Sequence, residues 1–238
     1  VFGTTFADSD AMKRWNAQRA DGAQLEAQDL ITRLNVIPNM PPQIPLTQYG
    51  LDSSPDGAKV RAAFPGFFDD PFQGQAALAF LLLKYRVSVA VTIGPDFNVA
   101  LGGNIGFANP PLAFDYSHND HRAGQAFMWN RILSNVDKLI TLLKSEPFDM
   151  ATGESLWDRT LIYVATDFGR TRGRPDNAVE FGTGHDLNNG FLMLSPMVKG
   201  NTVLGAIDPL TTYGYGFDAR TGAPQPGKQS SNEPDLFS

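Results

Sequence analysis

The spacing of apolar positions predicts helices in three parts of the chain. Residues 6 to 34 mix scattered apolar side chains with polar residues and alanines, which is typical of one or two amphipathic helices. The stretch Gln75 to Lys84 is rich in alanine and leucine and favours a further helix. The longest helix is predicted at Arg122 to Lys144, where apolar residues recur at near-helical intervals until Pro147 ends the pattern.

Four short apolar runs predict strands, two of them before the longest helix and two after it. They are Arg86 to Ile93, Leu112 to Phe114, Thr160 to Thr166 and Gly190 to Leu194. Continuous apolar runs are typical of strands that are buried on both faces. Because helices and buried strands alternate, we predict an α/β fold with a mostly parallel sheet and helices on both faces.

The pattern also divides the chain into three segments. Residues 1–70 form a helical and irregular N-terminal segment, in which prolines from Pro38 to Pro45 interrupt any helix. Residues 71–210 form the α/β core. Residues 211–238 form a tail rich in Gly, Pro and Ser, which we expect to run over the surface.

Composition narrows the class of protein. The 238 residues are enough to bury a substantial core, and 42% of them are hydrophobic. A formal net charge of −6 argues against nucleic acid as the main partner. The longest apolar stretch, Ala76 to Leu83, is too short to span a membrane. Because the chain has no cysteine, any catalysis must use oxygen or nitrogen groups.

Metal-capable side chains follow two of the predicted strands. Asp115 comes directly after Leu112 to Phe114, and Asp167 comes directly after Thr160 to Thr166. The three histidines of the chain are His118, His121 and His185. Ligands in α/β sheets usually bind beyond the carboxyl ends of the strands. Carboxylate and imidazole groups together suit Zn²⁺ or another divalent cation.

Each of these residues also has a plain structural explanation. An Asp after a strand is often a turn or helix-cap residue. A histidine near the start of a helix, or one between Gly and Asp, is often only solvated. Arg170, Arg172 and Arg174 lie close together and either grip a phosphate or sulfate group or form a solvated loop.

Four motifs occur in an order that resembles a known bacterial family. They are Phe114-Asp115-Tyr116-Ser117-His118, Asp167-Phe168-Gly169-Arg170-Thr171, Gly184-His185 and Val198-Lys199-Gly200. In this order they resemble the family called domain of unknown function 1501, in the alkaline phosphatase/sulfatase superfamily. The similarity covers about residues 112–208, and the motif that begins at Asp167 is its most specific element.

The resemblance implies an alkaline phosphatase-like fold and a divalent metal such as Zn²⁺. It implies that Asp115, His118 and His185 belong to one metal site, that Asp167 belongs to a second, and that Arg170 lies near the bound anion. Two residues separate Asp115 from His118 where the family usually has one. The superfamily takes its nucleophile from an early strand, and no such segment precedes Phe114. The catalytic nucleophile is therefore unassigned, and we expect the domain to be incomplete at both ends.

Two functions are consistent with this pattern. The first is a metal-dependent hydrolase of phosphate or sulfate esters. The alternative is a non-catalytic structural or accessory subunit of an exported assembly, which keeps the alkaline phosphatase-like fold and binds other protein subunits. An unrelated α/β binding protein is a third, weaker reading. Many members of the family carry export signals, so the resemblance implies the periplasm or the cell surface.

Overall fold

The structure is a computed structural model that describes eight parts of the chain. These are residues 9–34, 56–67, 70–94, 113–166, 168–171, 173–186, 188–218 and 220–229. The chain divides into two compact units, Val1–Gly94 and Pro95–Ser238, and each is described by itself. The segment boundaries at residues 70 and 210 stay a prediction.

The described part of the first unit is helical. Its helices are α1 (Asp10–Glu26), α2 (Leu30–Leu34), α3 (Gly57–Ala63) and α4 (Pro71–Lys84). Helix α4 begins at Pro71, four residues before the predicted start at Gln75, because the Asp70 side chain accepts a hydrogen bond from the Phe72 N–H at 3.0 Å and Pro71 takes the first position. The helices predicted within residues 6–34 and at Gln75 to Lys84 are confirmed.

A buried carboxylate at the start of α3 is hydrogen-bonded to the end of α4. The Asp56 carboxylate accepts hydrogen bonds from the Lys84 Nζ and from the Tyr85 hydroxyl, each at 2.6 Å. The buried apolar side chains of this part of the chain include Val60, Phe64, Phe72, Phe80 and Leu81. Because the carboxylate is paired with a cation and a hydroxyl donor, its burial does not leave an uncompensated charge.

The strand predicted at Arg86 to Ile93 is wrong. Arg86 has a left-handed backbone (φ 56°), and the Val87 N–H then donates back to the Leu82 carbonyl at 2.9 Å. This bond satisfies a terminal carbonyl of α4 and turns the chain instead of extending it. Val89 is fully exposed, so the valine-rich run is not a buried strand.

The second unit is organised around one long helix, α5 (His121–Ser145). The Asp120 side chain caps its start by accepting a hydrogen bond from the Ala123 N–H at 3.2 Å. One face of α5 is buried and carries Met128, Ile132, Leu139, Leu142 and Leu143. The helix predicted at Arg122 to Lys144 is therefore confirmed. Within the described residues, no helix is long and apolar enough to cross a membrane.

Short strands and two 3₁₀ helices complete the second unit. The 3₁₀ helices are Ala113–His118 and Trp157–Arg159. The strands are β1 (Pro147–Asp149), β2 (Glu154–Ser155), β3 (Ile162–Ala165), β4 (Gly169–Arg170), β5 (His185–Asp186), β6 (Phe191–Leu194), β7 (Tyr215–Phe217) and β8 (Pro224–Gln229). Leu112 to Phe114 was expected as a strand, and that prediction is wrong because Ala113 and Phe114 lie in a 3₁₀ helix.

The prediction of a mostly parallel sheet with helices on both faces is also wrong. In the described part of the chain every sheet is a pair of antiparallel strands, β1 with β2, β3 with β6, β4 with β5 and β7 with β8. Parallel strands need a crossover connection, usually a helix. The described residues between β3 and β6 form the β4–β5 pair and loops, so the chain returns in the opposite direction.

The burial pattern of β3 also argues against a sheet that is covered on both faces. Its residues alternate between half-buried and exposed side chains, and Tyr163 is one of the exposed ones. That period of two is typical of a strand covered on one face only. The tail predicted from residue 211 onward is also more regular than expected, because β7 and β8 pair around a turn at Gly222 (φ 75°).

Candidate functional site

Three of the four predicted metal ligands belong to one cluster around His118. The His118 Nε2 lies 3.0 Å from the His185 Nε2 and 3.4 Å from the Asp115 Oδ1. Asp115 and His118 stand three residues apart on the same 3₁₀ helix, where residues i and i+3 project from the same side. His185 comes from β5, 67 residues further along the chain. Asp167 lies outside the described residues.

Arg170, the predicted anion ligand, reaches the same cluster. In the β4–β5 pair Arg170 stands opposite His185. Its Nη1 lies 3.1 Å from the His118 Nε2, and its Nη2 donates to the Phe114 carbonyl at 3.0 Å. A Cβ at the preceding residue, Gly169, would collide with Asn188, so only glycine lets β4 pass this close to the chain that follows β5.

The contacts of the His118 Nε2 cannot all be hydrogen bonds at once. A guanidinium only donates, so a bond from Arg170 requires the lone pair of this nitrogen. A bond to the Asp115 carboxylate requires a proton on the same nitrogen instead. The His185 Nε2 is a third neighbour at 3.0 Å. One ring nitrogen carries either a proton or a lone pair. It therefore cannot form hydrogen bonds with Asp115 and Arg170 at the same time.

Two backbone hydrogen bonds attach the loop before His185 to the 3₁₀ helix Ala113–His118 and to the first residue of α5. The Thr183 N–H donates to the Ser117 carbonyl at 2.8 Å, and the His121 N–H donates to the Phe181 carbonyl at 2.8 Å. A Cβ at Gly182 would collide with the His118 carbonyl oxygen. The glycine therefore permits the close approach that brings His185 to His118.

Side chains of α5 hold the first 3₁₀ helix, Ala113–His118, in place. The Gln125 Nε2 donates to the Ser117 hydroxyl at 3.0 Å, and the Trp129 Nε1 donates to the Gln125 Oε1 at 3.0 Å. The Phe114 ring packs edge-on against Trp129, with 5.7 Å between ring centroids. The turn that carries Asp115 and His118 is thus fixed by α5.

His121 has a positioning contact in this structure. Its Nδ1 lies 2.9 Å from the Thr183 hydroxyl, and its ring stacks on Phe181. The Thr183 hydroxyl lies 3.3 Å from the Ser117 carbonyl and donates to it. This hydroxyl therefore accepts from His121, which requires the proton on Nδ1. Of the two histidines near the start of α5, His118 is the one that faces His185.

Replacing Thr183 by valine is expected to lower the free energy of unfolding by about 1–2 kcal/mol. Valine keeps the shape but leaves the Nδ1–H of His121 without its acceptor at a buried position (Thr183 is 4% exposed). Urea unfolding measures the change. Thr183→Ser retains the hydroxyl and serves as the control, and equal losses in the two variants would contradict a role for this hydrogen bond.

Stability is expected to fall below neutral pH because of His121. Burial lowers the pKa of His121 from its ordinary value of 6.5, the Arg170 charge lowers this pKa further, and Asp120 partly opposes the change. The unfolded chain then binds a proton more readily than the folded chain. The contribution of His121 is complete above the ordinary pKa and is lost as the pH falls through the lowered one.

Unfolding in urea at about pH 7.5 and about pH 5 tests this dependence. His121→Asn keeps a donor near Thr183 but does not titrate. We therefore expect a smaller loss of stability at the lower pH in this variant than in the original chain. The same loss in both proteins would exclude His121 as the titrating group.

The cluster supplies suitable donor atoms for a divalent ion but does not form a finished metal site. Within the described parts of the chain, no group of three or more His, Asp or Glu side chains is arranged to hold an ion. Two ligands of a tetrahedral ion with bonds of about 2.0–2.1 Å lie about 3.3–3.4 Å apart. The spacings of 3.0 and 3.4 Å around the His118 Nε2 are close to that value. Arg170 contacts the nitrogen that an ion would take.

The residues that sequence reasoning missed are those that assemble the cluster. Thr183 and Ser117 are both buried, and they connect the two segments that carry the histidines. The Phe168 ring lies 3.9 Å from the His185 ring. The sequence does contain a signal for Thr183. The segment Gly182-Thr183-Gly184 directly precedes His185, and a hydroxyl residue between two glycines indicates a closely packed turn.

Comparisons with known proteins leave the resemblance as a prediction. No protein-family model, no curated protein and no solved structure matches this chain.

Proposed function

We propose that the second unit is a hydrolase domain that uses a divalent metal ion to cleave phosphate or sulfate monoesters. The observation that carries the proposal is the approach of the His118 and His185 Nε2 atoms to 3.0 Å beside Asp115 and Arg170. Imidazole and carboxylate donors suit a cation, and a guanidinium suits a tetrahedral anion. Both kinds of group are needed to bind a metal ion and an ester together.

Each residue has a role that follows from its contacts. His118, His185 and Asp115 would hold the ion, which supplies Lewis acidity at the ester oxygen. Arg170 would bind the ester oxyanion and neutralise charge that develops during cleavage. Ser117 and Thr183 are buried and hydrogen-bonded, so we assign them to positioning and not to attack.

The cluster is open enough for a substrate to enter. The His118 side chain is 39% exposed and that of Asp115 is 66% exposed. An ester in solution can therefore reach the ligands without a large opening of the unit. The exposure also lets water reach the ester, and the proposed reaction consumes water.

Turnover of two aryl esters tests the proposal. We expect the chain loaded with Zn²⁺, Mn²⁺ or Mg²⁺ to hydrolyse 4-nitrophenyl phosphate or 4-nitrophenyl sulfate, and we expect EDTA to abolish the reaction. Arg170→Gln is expected to lower kcat/KM by about 100-fold or more, because it removes a charged donor to the oxyanion. A chain that holds no divalent ion and turns over neither ester would refute the proposal.

A second candidate is a structural or accessory subunit. It is favoured by the apolar side chains that the β3–β6 pair and its flank leave exposed, which are Leu161, Tyr163, Phe191 and Leu192. For this candidate we expect the chain to associate without metal, as measured by sedimentation velocity, and we expect Tyr163→Glu to weaken the association. Leu210→Glu changes an exposed apolar residue elsewhere and is the control. Export to the periplasm or the cell surface stays a prediction for both candidates.

A further inference from the structure

Arg170 occupies the nitrogen atom that the proposed ion needs. Its Nη1 lies 3.1 Å from the His118 Nε2. A guanidinium donates hydrogen bonds and never accepts them, so this contact uses the lone pair of the imidazole nitrogen. An ion that binds His118 through Nε2 uses the same lone pair. Arg170 and the ion therefore exclude one another at this atom.

The hydrogen-bond partners of Arg170 within the described residues are all neutral. Its Nη2 donates to the Phe114 carbonyl at 3.0 Å, and its Nη1 lies 3.4 Å from the Thr183 carbonyl oxygen. The third partner is the His118 nitrogen, which must be unprotonated to accept. In this part of the chain these contacts use three of the five N–H donors of the guanidinium. Arg170 thus keeps both its charge and spare donors for an anion.

A tetrahedral anion is a stronger acceptor than the His118 nitrogen. Sulfate and phosphate oxygens carry negative charge, and a guanidinium often binds them through two parallel hydrogen bonds. The His118 side chain is 39% exposed, so an anion from solution can reach the guanidinium beside it. We therefore expect a bound anion to draw Arg170 away from the His118 lone pair.

A bound anion also changes the electrostatics of the cluster in the same direction. The Arg170 charge lies beside the His118 Nε2 and repels any cation that approaches this nitrogen. An anion paired with the guanidinium cancels much of that repulsion. Release of the lone pair and loss of the repulsion both favour the ion once the anion has bound.

We propose that Arg170 blocks the ion from His118 until an anion binds the guanidinium, so that the anion and the ion bind cooperatively. This inference rests on the proposed hydrolase function for the identity of the two ligands. By linkage, the anion raises the affinity for the ion by the same factor as the ion raises the affinity for the anion. The cluster then binds the ion tightly only together with the ester or another tetrahedral anion.

The affinity for Zn²⁺ in two salts tests the proposal. It is measured by competition with a chromophoric chelator in sodium sulfate and in sodium chloride at equal ionic strength, so that screening is the same. Sulfate is the probe because it is not consumed, and the chelator alone in each salt corrects for Zn²⁺ that sulfate binds. We expect sulfate to raise the Zn²⁺ affinity of the chain about 10-fold.

Two substitutions assign this effect to one guanidinium. Arg170→Gln is expected to bind Zn²⁺ about 10-fold more tightly than the original chain in chloride, and sulfate should then change its affinity less than about 2-fold. Arg174→Gln is the matched control, because it removes the same charge four residues further along the chain, where the guanidinium donates to the Ala178 carbonyl at 2.7 Å. This control should keep the full effect of sulfate. Circular dichroism shows whether both variants fold.

Three results would overturn the proposal. An equal sulfate effect in Arg170→Gln and in the original chain would mean that the anion binds the ion directly. An Arg170→Gln variant that binds Zn²⁺ in chloride no more tightly than the original chain would mean that Arg170 does not block the ion. Loss of the sulfate effect in Arg174→Gln would mean that general charge, and not the contact with His118, produces it.

Nitrogen-15 NMR of the metal-free chain provides a second test that needs no change at Arg170. It is recorded at about pH 8.5, where an ordinary imidazole is neutral. While Arg170 donates to the His118 Nε2, the proton of this ring lies on Nδ1. Sulfate should increase the fraction of His118 that is protonated on Nε2, because the Asp115 Oδ1 at 3.4 Å can then accept from it. A His118 spectrum that sulfate leaves unchanged would overturn the proposal.

These measurements separate the proposal from the hydrolase assignment. If sulfate raises the Zn²⁺ affinity through Arg170 but neither aryl ester is hydrolysed, the cooperative site is supported and the hydrolase is refuted. If an ester is hydrolysed but sulfate does not change the Zn²⁺ affinity, the hydrolase is retained and the role of Arg170 in blocking the ion is refuted. A chain that binds no Zn²⁺ in either salt refutes both.

Discussion

Gly182→Ala is expected to lower the free energy of unfolding by about 3 kcal/mol or more. The added Cβ would collide with the His118 carbonyl oxygen, which is backbone and cannot rotate away. Both segments at this contact are fixed, one by the Thr183–Ser117 hydrogen bond and the other by α5. The collision can be relieved only when the loop before His185 leaves its place.

The neighbouring glycine provides a matched control. A Cβ at Gly184 would lie 3.7 Å from the Thr171 methyl group, which is an ordinary contact. Gly184→Ala should therefore change the stability by less than about 1 kcal/mol. Urea unfolding of both variants decides the point. Equal losses would mean that the two alanines act through chain entropy or local strain, and not through the contact between Gly182 and His118.

Gly182→Ala should also weaken any ligand that depends on both histidines. Displacing the loop separates His185 from His118, although neither imidazole is changed. The stability effect and the binding effect are thus expected in the same variant. In Gly184→Ala both properties should stay close to those of the original chain.

The sequence predicts the helices well because their signals are local. Helix α5 is predicted from apolar spacing and the stop at Pro147, whereas its cap at Asp120 is found only in the structure. The strands at Ile162–Ala165 and Phe191–Leu194 are found near their predicted positions, but their mutual direction was predicted wrongly. An apolar run indicates that a strand forms, whereas its direction depends on how the connection between the two strands folds.

The candidate site is predicted only in part for a similar reason. The resemblance selects Asp115, His118, Arg170 and His185, and the structure brings all four together. It does not reveal that His121 holds Thr183, because this contact joins residues 62 positions apart. Such contacts depend on tertiary packing, which no local pattern encodes.

For the proposed metal site, His118→Ala and His185→Ala are each expected to lower the affinity for Zn²⁺ by more than about 100-fold. Loss of an outer-shell partner typically costs 10- to 100-fold in metal affinity, and loss of a direct ligand costs more. The two imidazoles supply the closest pair of donor atoms in the cluster, so removing either leaves one imidazole beside Asp115. Competition titration with a chromophoric chelator measures the affinities.

His121→Asn provides the control for this experiment, because it removes a histidine three residues from His118 that contacts Thr183 and not His185. Its Zn²⁺ affinity should change by less than about 3-fold, since the direct ligands stay in place.

Arg170→Gln should bind Zn²⁺ at least as tightly as the original chain, because the guanidinium competes with the ion for the His118 Nε2 lone pair and repels its charge. A loss of affinity in His121→Asn as large as that in His118→Ala would mean that the ion does not bind at the proposed ligands. A loss in Arg170→Gln would mean that Arg170 organises the ligands, and that metal and anion binding depend on the same contact.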